Sequence, residues 1–212
     1  MRGAIVLAGG PSRRLGRPKA FLEIEGLPLV LRVVSAAKSV APDVVVVSRG
    51  GIASRLENLV VGVRVVRDAR RIQTPLIGLL AGATALRAGY VAALACDLPF
   101  LEPAVLSRLF SEARGHDAAL PRWPNGQNEP LVAVYRRTAL LAAVRASLLA
   151  GERSNQEMIG RLRDVSFVEV DSLRAADPAL RSFVNVNTPE DLRRARRLAR
   201  TTPGRAGRPR TR

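Results

Sequence analysis

A glycine-rich, cationic stretch between residues 7 and 19 has the composition of an anion-binding loop. It reads LAGGPSRRLGRPK, with three glycines and four cations in thirteen residues. Glycine lets the backbone approach phosphate oxygens closely, and successive backbone N–H groups in such a turn form a concave donor site. Arginine and lysine add positive charge. We therefore predict that this stretch holds the phosphates of a nucleoside triphosphate; the alternative is an ordinary strand-to-helix turn.

The spacing excludes two common phosphate loops. A Walker loop ends in Gly-Lys-Ser/Thr, whereas Lys19 follows Pro18 and precedes Ala20. The dinucleotide-binding pattern G-x-G-x-x-G is also absent, because Gly9 and Gly10 are adjacent. Lys19 and Lys38 are the two lysines among 34 lysines and arginines. This bias hints that position 19 requires a compact ammonium group on a flexible stem.

An acidic residue follows the apolar run at residues 90–96. This run is typical of a buried strand, and Asp97 comes directly after it. Burying a carboxylate is costly unless a partner offsets its charge. A triphosphate brings Mg²⁺, which prefers oxygen ligands, so we predict that Asp97 binds the metal. A cap for the helix that begins near Pro103 is the alternative, and Cys96 is expected to be a small core residue.

The elements that must position these residues alternate between strands and helices. Apolar runs predict strands at residues 4–7, 44–47 and 63–66, separated by helices at residues 28–40 and 52–58. This order predicts an α/β fold with a parallel sheet and right-handed crossovers. Ligands collect at the carboxyl ends of such strands, so Gly9, Ser48 and Asp68 should face one crevice. Asp68 could bind the ribose or the base, or cap a turn. Further elements are expected as helices at residues 76–88, 138–149 and 155–162 and strands at residues 117–120, 131–135 and 166–170.

Three later segments could contact a second substrate. The loop at residues 121–130 contains tryptophan, arginine and amide side chains, so it is either a wall of the acceptor site or a plain surface turn. Arg153 precedes a helix cap and could meet a substrate phosphate. Asn185 and Asn187 alternate with valines, which predicts that both amides point to one face. The single histidine, His116, lies in a turn and is not expected to be catalytic.

Length and charge predict one domain with a basic tail. We assign residues 1–200 to a single domain and residues 201–212 to a tail that we expect to be disordered. The net charge is +16, and removing the nine arginines between residues 193 and 212 leaves +7. The tail could bind RNA, an acidic partner or nothing specific. One cysteine excludes an intrachain disulfide and cysteine-rich zinc sites. No apolar run reaches the ~18 residues of a membrane span, so a cytoplasmic location is expected.

With these residues identified, the chain resembles the molybdenum cofactor guanylyltransferases up to about residue 200. The similarity rests on residues 7–19, on the sequence CDLP at residues 96–99 and on FVNVNTPE at residues 183–190. It implies a three-layer, Rossmann-like nucleotidyltransferase fold of the nucleotide-diphospho-sugar transferase type, with a mostly parallel central sheet. It also implies transfer of GMP from GTP to the terminal phosphate of molybdopterin cofactor, with Mg²⁺ as cofactor. Other proteins of molybdenum cofactor biosynthesis, or the target molybdoenzymes, would be partners.

The resemblance also implies roles for individual residues. Three residues are expected in catalysis, namely Lys19, Arg14 and Asp97, with Asp97 on Mg²⁺. The nucleotide is expected at Leu7, Ala8, Gly9, Gly10, Gly16, Lys19, Ser48, Asp68, Gly78 and Asp97. The acceptor is expected at Arg153, Asn185 and Asn187. The chain departs from the family pattern at Ser48, where an asparagine is common, and at residues 74–78, where TPLIG replaces GPLAG.

A phosphate nucleophile is already ionised at neutral pH, so the proposed transfer requires no general base. Two alternatives stay open at this point. The chain could be a related transferase that uses CTP or another acceptor, such as a sugar phosphate or cobinamide phosphate. It could instead be a basic RNA-binding or regulatory protein that retains a nucleotide fold. An assay of nucleotide preference would distinguish the first alternative from a guanylyltransferase. Salt-dependent RNA binding without pyrophosphate release would favour the second.

Overall fold

A seven-stranded sheet forms the centre of the protein in a computed structural model that describes residues 1–9, 15–68 and 74–201. In these ranges the strands are β1 (Arg2–Leu7), β2 (Glu23–Ile24), β3 (Leu27–Pro28), β4 (Asp43–Arg49), β5 (Arg64–Asp68), β6 (Tyr90–Ala95), β7 (Ala118–Arg122), β8 (Val132–Arg136) and β9 (Val165–Glu169). The order in the sheet is β5-β4-β1-β6-β8-β7-β9, and β2 and β3 form a separate hairpin. The α/β fold expected from the sequence is confirmed.

The sheet is parallel except at one strand. β1 pairs in parallel with β4 and β6, β4 with β5, and β7 with β9. β8 lies between β6 and β7 and pairs antiparallel with both. The strands on either side of β8 therefore run in one direction, so their carboxyl ends lie on the same edge of the sheet.

Helices cover both faces of the sheet, which makes three layers. The helices are α1 (Leu29–Lys38), α2 (Ala53–Leu59), α3 (Pro75–Ala85), α4 (Pro103–Glu112), α5 (Arg137–Leu149), α6 (Asn155–Ile159) and α7 (Pro189–Arg200). Adjacent residues of β1 enter different cores: Val6 packs with α1 and α4, and Ile5 packs with α3 and α5. Strands buried on both faces read as continuous apolar runs, which is why they were recognisable in the sequence.

Glycine brings α3 close to β1. A Cβ atom at residue 82 would lie 3.0 Å from Ile5 Cγ1 and 3.1 Å from Val47 Cγ2. Ordinary carbon–carbon contacts are about 3.5–4.0 Å, so alanine would push the helix away from the sheet. The start of α3 is fixed by Thr74, whose hydroxyl accepts a hydrogen bond from Leu76 N at 3.2 Å. This packing places the first turn of α3 beside the carboxyl end of β1.

Two helices near the carboxyl terminus begin with reciprocal caps. Ser154 and Glu157 cap α6 as the sequence predicted, but α6 ends at Ile159, three residues before the expected boundary. Thr188 and Asp191 cap α7 in the same way. The apolar side of α7 packs on the β2–β3 hairpin in a small third core.

Among the described residues, no helix combines the length and the apolar character that crossing a membrane requires. Residues 202–212 lie outside the described residues, so the predicted disorder of the tail stays a prediction.

Candidate active site

A cavity of about 250 Å³ opens at the carboxyl ends of the parallel strands. The ends of β1, β4, β5 and β6 contribute Gly9, Ser48, Asp68 and Asp97, and Lys19 lies beside them. The sequence predicts that the first three strand ends face one crevice, and the structure brings all of them together. Leu7 and Ala8 line the same cavity, which we call the nucleotide pocket.

Lys19 connects two segments that are far apart in the sequence. Its Nζ donates to Asp97 Oδ2 at 2.8 Å and to Asn187 Oδ1 at 2.5 Å. The lysine begins a short helical turn, Lys19–Phe21, in which Ala20 and Phe21 are buried. This turn is anchored by Leu22 N, which donates to Lys19 O at 2.9 Å. Burial of its neighbours therefore holds the ammonium group at the mouth of the pocket.

Asp97 is fixed through its backbone and retains one carboxylate oxygen for a ligand. Its carbonyl accepts a hydrogen bond from Val186 N at 3.0 Å, and the preceding Cys96 N donates to Leu7 O at 3.1 Å. Within the described residues, the buried Oδ1 atom of Asp97 has no hydrogen-bond partner. An orphaned buried acceptor is rare in native proteins, so this atom is suited to binding a cation.

Cys96 next to Asp97 is a core residue. Burial, with a smaller contribution from the charge of Asp97, raises the pKa of the Cys96 thiol far above its ordinary value. A thiol that stays protonated is a poor nucleophile. The sequence-based prediction that Cys96 fills the core is consistent with this environment.

Asp68 forms an ion pair with Arg49 that was not predicted from the sequence. It is 8% exposed, and its Oδ2 lies 3.5 Å from Arg49 Nη2. Arg49 also explains the glycine at position 9, because a Cβ there would lie 2.8 Å from Arg49 Cβ. The signal for this pair was an arginine and an aspartate at the ends of consecutive strands, and parallel pairing places Arg49 opposite Asp68.

Ser48 and Gly78 form the inner wall of the nucleotide pocket. Ser48 is fully buried, and among the described residues its hydroxyl has no hydrogen-bond partner. Gly78 lies where α3 approaches β1, and a Cβ there would be 2.9 Å from Leu7 Cδ2. Because Gly78 has no side chain, the pocket keeps its volume at this point. The serine hydroxyl adds a polar atom to the wall.

A second concave region adjoins the nucleotide pocket. Two shallow cavities share a wall formed by Trp123, Phe183 and Asn185, and one of them reaches Asn187. The Trp123 and Phe183 rings pack edge to face with centroids 5.6 Å apart. Trp123 Nε1 donates to Glu129 Oε1 at 2.7 Å. We call this region, with Glu129 at its far end, the tryptophan cleft.

The asparagines border this cleft, but the alternation expected around them is only partly present. Val186 is buried, whereas Val184 lines the tryptophan cleft beside Asn185. The segment leaves a short helical turn at Arg181–Phe183 and does not join the central sheet. Without sheet pairing, nothing requires alternate residues to face opposite sides.

Other predicted residues lie away from the pocket. Arg153 is not among the residues that line it; its carbonyl accepts a hydrogen bond from the Thr74 hydroxyl at 2.5 Å. Gly16 is exposed and has φ +66°, a conformation that glycine adopts without strain. His116 pairs with Asp164 at 2.8 Å on the surface. Gly10 and Arg14 lie outside the described residues, and their roles stay predictions.

The described residues contain no group of three or more histidine, cysteine, aspartate or glutamate side chains that could hold a metal ion. A cation at Asp97 would therefore depend on ligands from a bound substrate. Mg²⁺ is commonly bound in this way, by one or two carboxylates together with substrate phosphates.

Comparison with known proteins places this geometry among nucleotidyltransferases. Residues 4–165 match the MobA-like NTP transferase domain. A probable molybdenum cofactor guanylyltransferase of Methanosarcina acetivorans is 40% identical over 201 residues, covering 90% of this chain and 88% of the relative. A molybdenum cofactor guanylyltransferase of Desulfosudis oleivorans is 35% identical, with 90% and 92% covered. The crystal structure of molybdopterin-guanine dinucleotide biosynthesis protein A from Archaeoglobus fulgidus superposes with a TM-score of 0.81 at 29% identity, covering 95% of this chain and all of that one.

Proposed function

Because the chain belongs to the family with the MobA-like NTP transferase domain, we propose that it transfers GMP from GTP to the terminal phosphate of molybdopterin cofactor. The observation that carries this proposal is the contact between the Lys19 ammonium and the Asp97 carboxylate in the pocket at the strand ends. A cation and a carboxylate side by side match a triphosphate that arrives with its own metal ion. The reaction would take place in the cytoplasm, where GTP is available.

The transfer breaks one phosphoanhydride bond and forms another. An oxygen of the acceptor phosphate attacks the α-phosphorus of GTP, and the oxygen that bridges the α- and β-phosphorus leaves with pyrophosphate. The nucleophile is an anion at neutral pH, so no protein group must remove a proton. This fits a pocket whose described titratable residues are a lysine, an arginine, two aspartates and an inert cysteine. The protein would act by positioning the reactants and stabilising negative charge.

Lys19 would hold the triphosphate and neutralise the leaving pyrophosphate. Its ammonium carries three donors, and two of them are already directed at Asp97 and Asn187. On binding of GTP, Lys19 would donate to phosphate oxygens of the nucleotide. Gly9 would let the backbone approach the phosphates, and Arg14 is proposed to add a second charge.

The donor set around Asp97 fits Mg²⁺. The buried Oδ1 atom, without a hydrogen-bond partner among the described residues, gives the ion one protein ligand. Asp97 would hold the metal together with phosphate oxygens of the nucleotide. When bound, Mg²⁺ stabilises negative charge on the α-phosphate and the leaving group.

The remaining pocket residues would hold the nucleoside. Asp68 can accept hydrogen bonds from ribose hydroxyls or the base, and its ion pair with Arg49 fixes its position. The buried Ser48 hydroxyl would pair with a polar atom of the nucleoside, because leaving it unpaired is costly. Gly78, which has no side chain, would leave room for the base of the nucleotide.

The acceptor would bind next to the nucleotide pocket, at Asn185 and Asn187. Arg153 is proposed to contact the acceptor after a rearrangement of the region around Thr74, because its side chain lines neither the nucleotide pocket nor the tryptophan cleft. Proteins of the same biosynthetic route, or enzymes that receive the finished cofactor, would be its partners.

Pyrophosphate release with purified protein tests the proposal. We expect release with GTP, Mg²⁺ and molybdopterin cofactor, at least tenfold faster than with CTP, and none without the acceptor. The product should have the mass of the guanine dinucleotide. A preference for CTP, or release that is independent of molybdopterin, would refute the assignment.

A further inference from the structure

The nucleotide pocket and the tryptophan cleft are joined by one side chain. Asn187 accepts a hydrogen bond from Lys19 in the pocket, and it also lines the cleft together with Asn185 and Trp123. The Asn187 end of the cleft therefore lies within hydrogen-bond distance of the Lys19 ammonium, beside the expected phosphate position. The remote part of the acceptor should lie where Trp123 and Glu129 are found.

The cleft is built to take a flat, polar ring. Trp123 presents an aromatic surface, and Phe183 packs against it edge to face. Amide side chains of Asn125, Gln127 and Asn185 surround these rings. Aromatic walls with a few placed polar groups are typical of sites for heterocyclic ligands.

Glu129 is held in a defined position at the end of this cleft. Its backbone N–H donates to Pro121 O at 2.9 Å, and its Oε1 accepts from Trp123 Nε1 at 2.7 Å. The loop at residues 121–130 is also closed by backbone hydrogen bonds from Trp123 N to Gln127 O at 2.9 Å and from Gly126 N to Trp123 O at 2.8 Å. The carboxyl group is thus a fixed acceptor at the side of the aromatic wall.

Partial burial makes a further hydrogen-bond donor strongly stabilising for the ionised Glu129 carboxylate. The side chain is half-buried, and burial raises the pKa of Glu129 despite the hydrogen bond from Trp123. A ligand with adjacent N–H groups would offset that burial through charge-assisted hydrogen bonds. The described part of the cleft offers no basic side chain in contact with this carboxyl group.

We propose that Trp123 and Glu129 select the acceptor by recognising its pterin ring. The ring would pack against Trp123, and the carboxylate of Glu129 would accept hydrogen bonds from the 2-amino group and the adjacent ring N–H. This inference rests on the proposed function, because the acceptor class comes from it. Both residues are specificity-determining residues for the acceptor and take no part in breaking or forming bonds at phosphorus.

Guanine carries an equivalent edge, with an amino group and a carbonyl on either side of a ring N–H, so the test must distinguish pterin from the guanine of GTP. The chain contains a single tryptophan, and its fluorescence therefore reports on this cleft alone. The probe is pterin without side chain or phosphate, and the matched ligand is lumazine, which has an oxygen in place of the 2-amino group. GTP with Mg²⁺ is added in a separate titration and in competition.

We expect pterin to quench the fluorescence of Trp123 with saturation, and lumazine to bind at least tenfold more weakly. Glu129→Gln should weaken pterin binding by about 10- to 100-fold, because charge-assisted hydrogen bonds contribute about 1.5–3 kcal/mol. Glu57→Gln, on a helix that contributes nothing to the cleft, is the control and should bind pterin like the wild type. Calorimetry repeats the measurement without an optical signal, and circular dichroism checks that the variants are folded.

Equal affinity for pterin and lumazine, or equal affinity of folded Glu129→Gln and wild type, would overturn the proposal. So would competition between GTP and pterin, since it would assign the cleft to guanine. The proposed function is tested separately by pyrophosphate release. If GTP turnover is normal while Glu129→Gln leaves the acceptor KM unchanged, the function stands and the recognition by Glu129 fails. If pterin binds as expected but GTP is not consumed, the proposed transfer of GMP is refuted and pterin binding in the tryptophan cleft stands.

Discussion

Replacing Lys19 by methionine is the most direct test of the site. Methionine keeps an unbranched side chain of similar length and removes the charge. In the wild type the Lys19 ammonium lies 2.8 Å from Asp97 Oδ2 and 2.5 Å from Asn187 Oδ1. Among the described residues, the variant therefore loses the charged hydrogen bond to Asp97 and the hydrogen bond to Asn187.

The expected effect on stability is small, and the effect on turnover is large. The Lys19 and Asp97 side chains keep 18% and 13% of their exposure, so solvent screens part of the attraction. A net loss of about 1–2 kcal/mol is expected for such a charged hydrogen bond. In the proposed reaction the same ammonium would face a triphosphate whose charge shifts to the leaving group. Removing a preorganised donor of this kind costs about 2.7–4 kcal/mol, or 10²- to 10³-fold in rate.

The assay measures kcat/KM for GTP from pyrophosphate release, and circular dichroism checks that the variant is folded. Lys38→Met is the matched control, since it removes the other lysine from an exposed position on α1. Lys19→Arg keeps the charge but has a planar fork, and at least a tenfold loss is expected. Wild-type turnover in folded Lys19→Met would refute the role of Lys19.

Three further predictions concern the scaffold. Gly82→Ala should destabilise the protein by about 1–2 kcal/mol, because overpacking against Ile5 outweighs the gain in helix propensity; calorimetry should show Tm lower by roughly 2–8 °C, and an unchanged Tm would contradict the packing described. Burial raises the pKa of Asp117, but hydrogen bonds from Arg136 and two backbone N–H groups outweigh it, so the net pKa is lowered. Its stabilisation is therefore present above about pH 4 and lost as pH falls through the lowered folded pKa; urea unfolding between pH 6 and pH 2 should show a smaller loss for Asp117→Asn than for the wild type, and parallel curves would contradict this. The buried Cys96 thiol should resist thiol reagents in the native protein and react at once in denaturant. Rapid labelling of the folded protein would show that the thiol at the end of β6 is accessible to solvent.

Much of the fold and part of the site follow from local sequence signals. Strands buried on both faces appear as apolar runs, and caps appear as short polar patterns, so most elements were placed to within a few residues. Asp97 stood out because an acid directly after a buried strand is costly without a partner. Gly9, Ser48 and Asp68 could be assigned to one crevice because parallel strands end at the same edge.

Other contacts depend on which distant segments become neighbours. Asn187 bonds to Lys19 across 168 residues of sequence, and no local pattern indicates that proximity. The antiparallel β8, between β6 and β7, was not evident from its apolar run, because such runs do not report strand direction. The Trp123–Phe183 contact and the Glu129 carboxyl group at its side likewise arise from this arrangement.

The sequence by itself determined the chemistry that the chain can offer: a cationic, glycine-rich turn, one acid at the end of a buried strand, and a pair of asparagines near the carboxyl terminus. Local propensity and burial dictate such features, because they act over a few neighbouring residues. Only the tertiary structure decided that Lys19 bridges Asp97 and Asn187, that Arg49 fixes Asp68, and that a tryptophan cleft adjoins the nucleotide pocket. These contacts join segments far apart in the chain, and only packing of the whole sheet and its two helical layers brings them together.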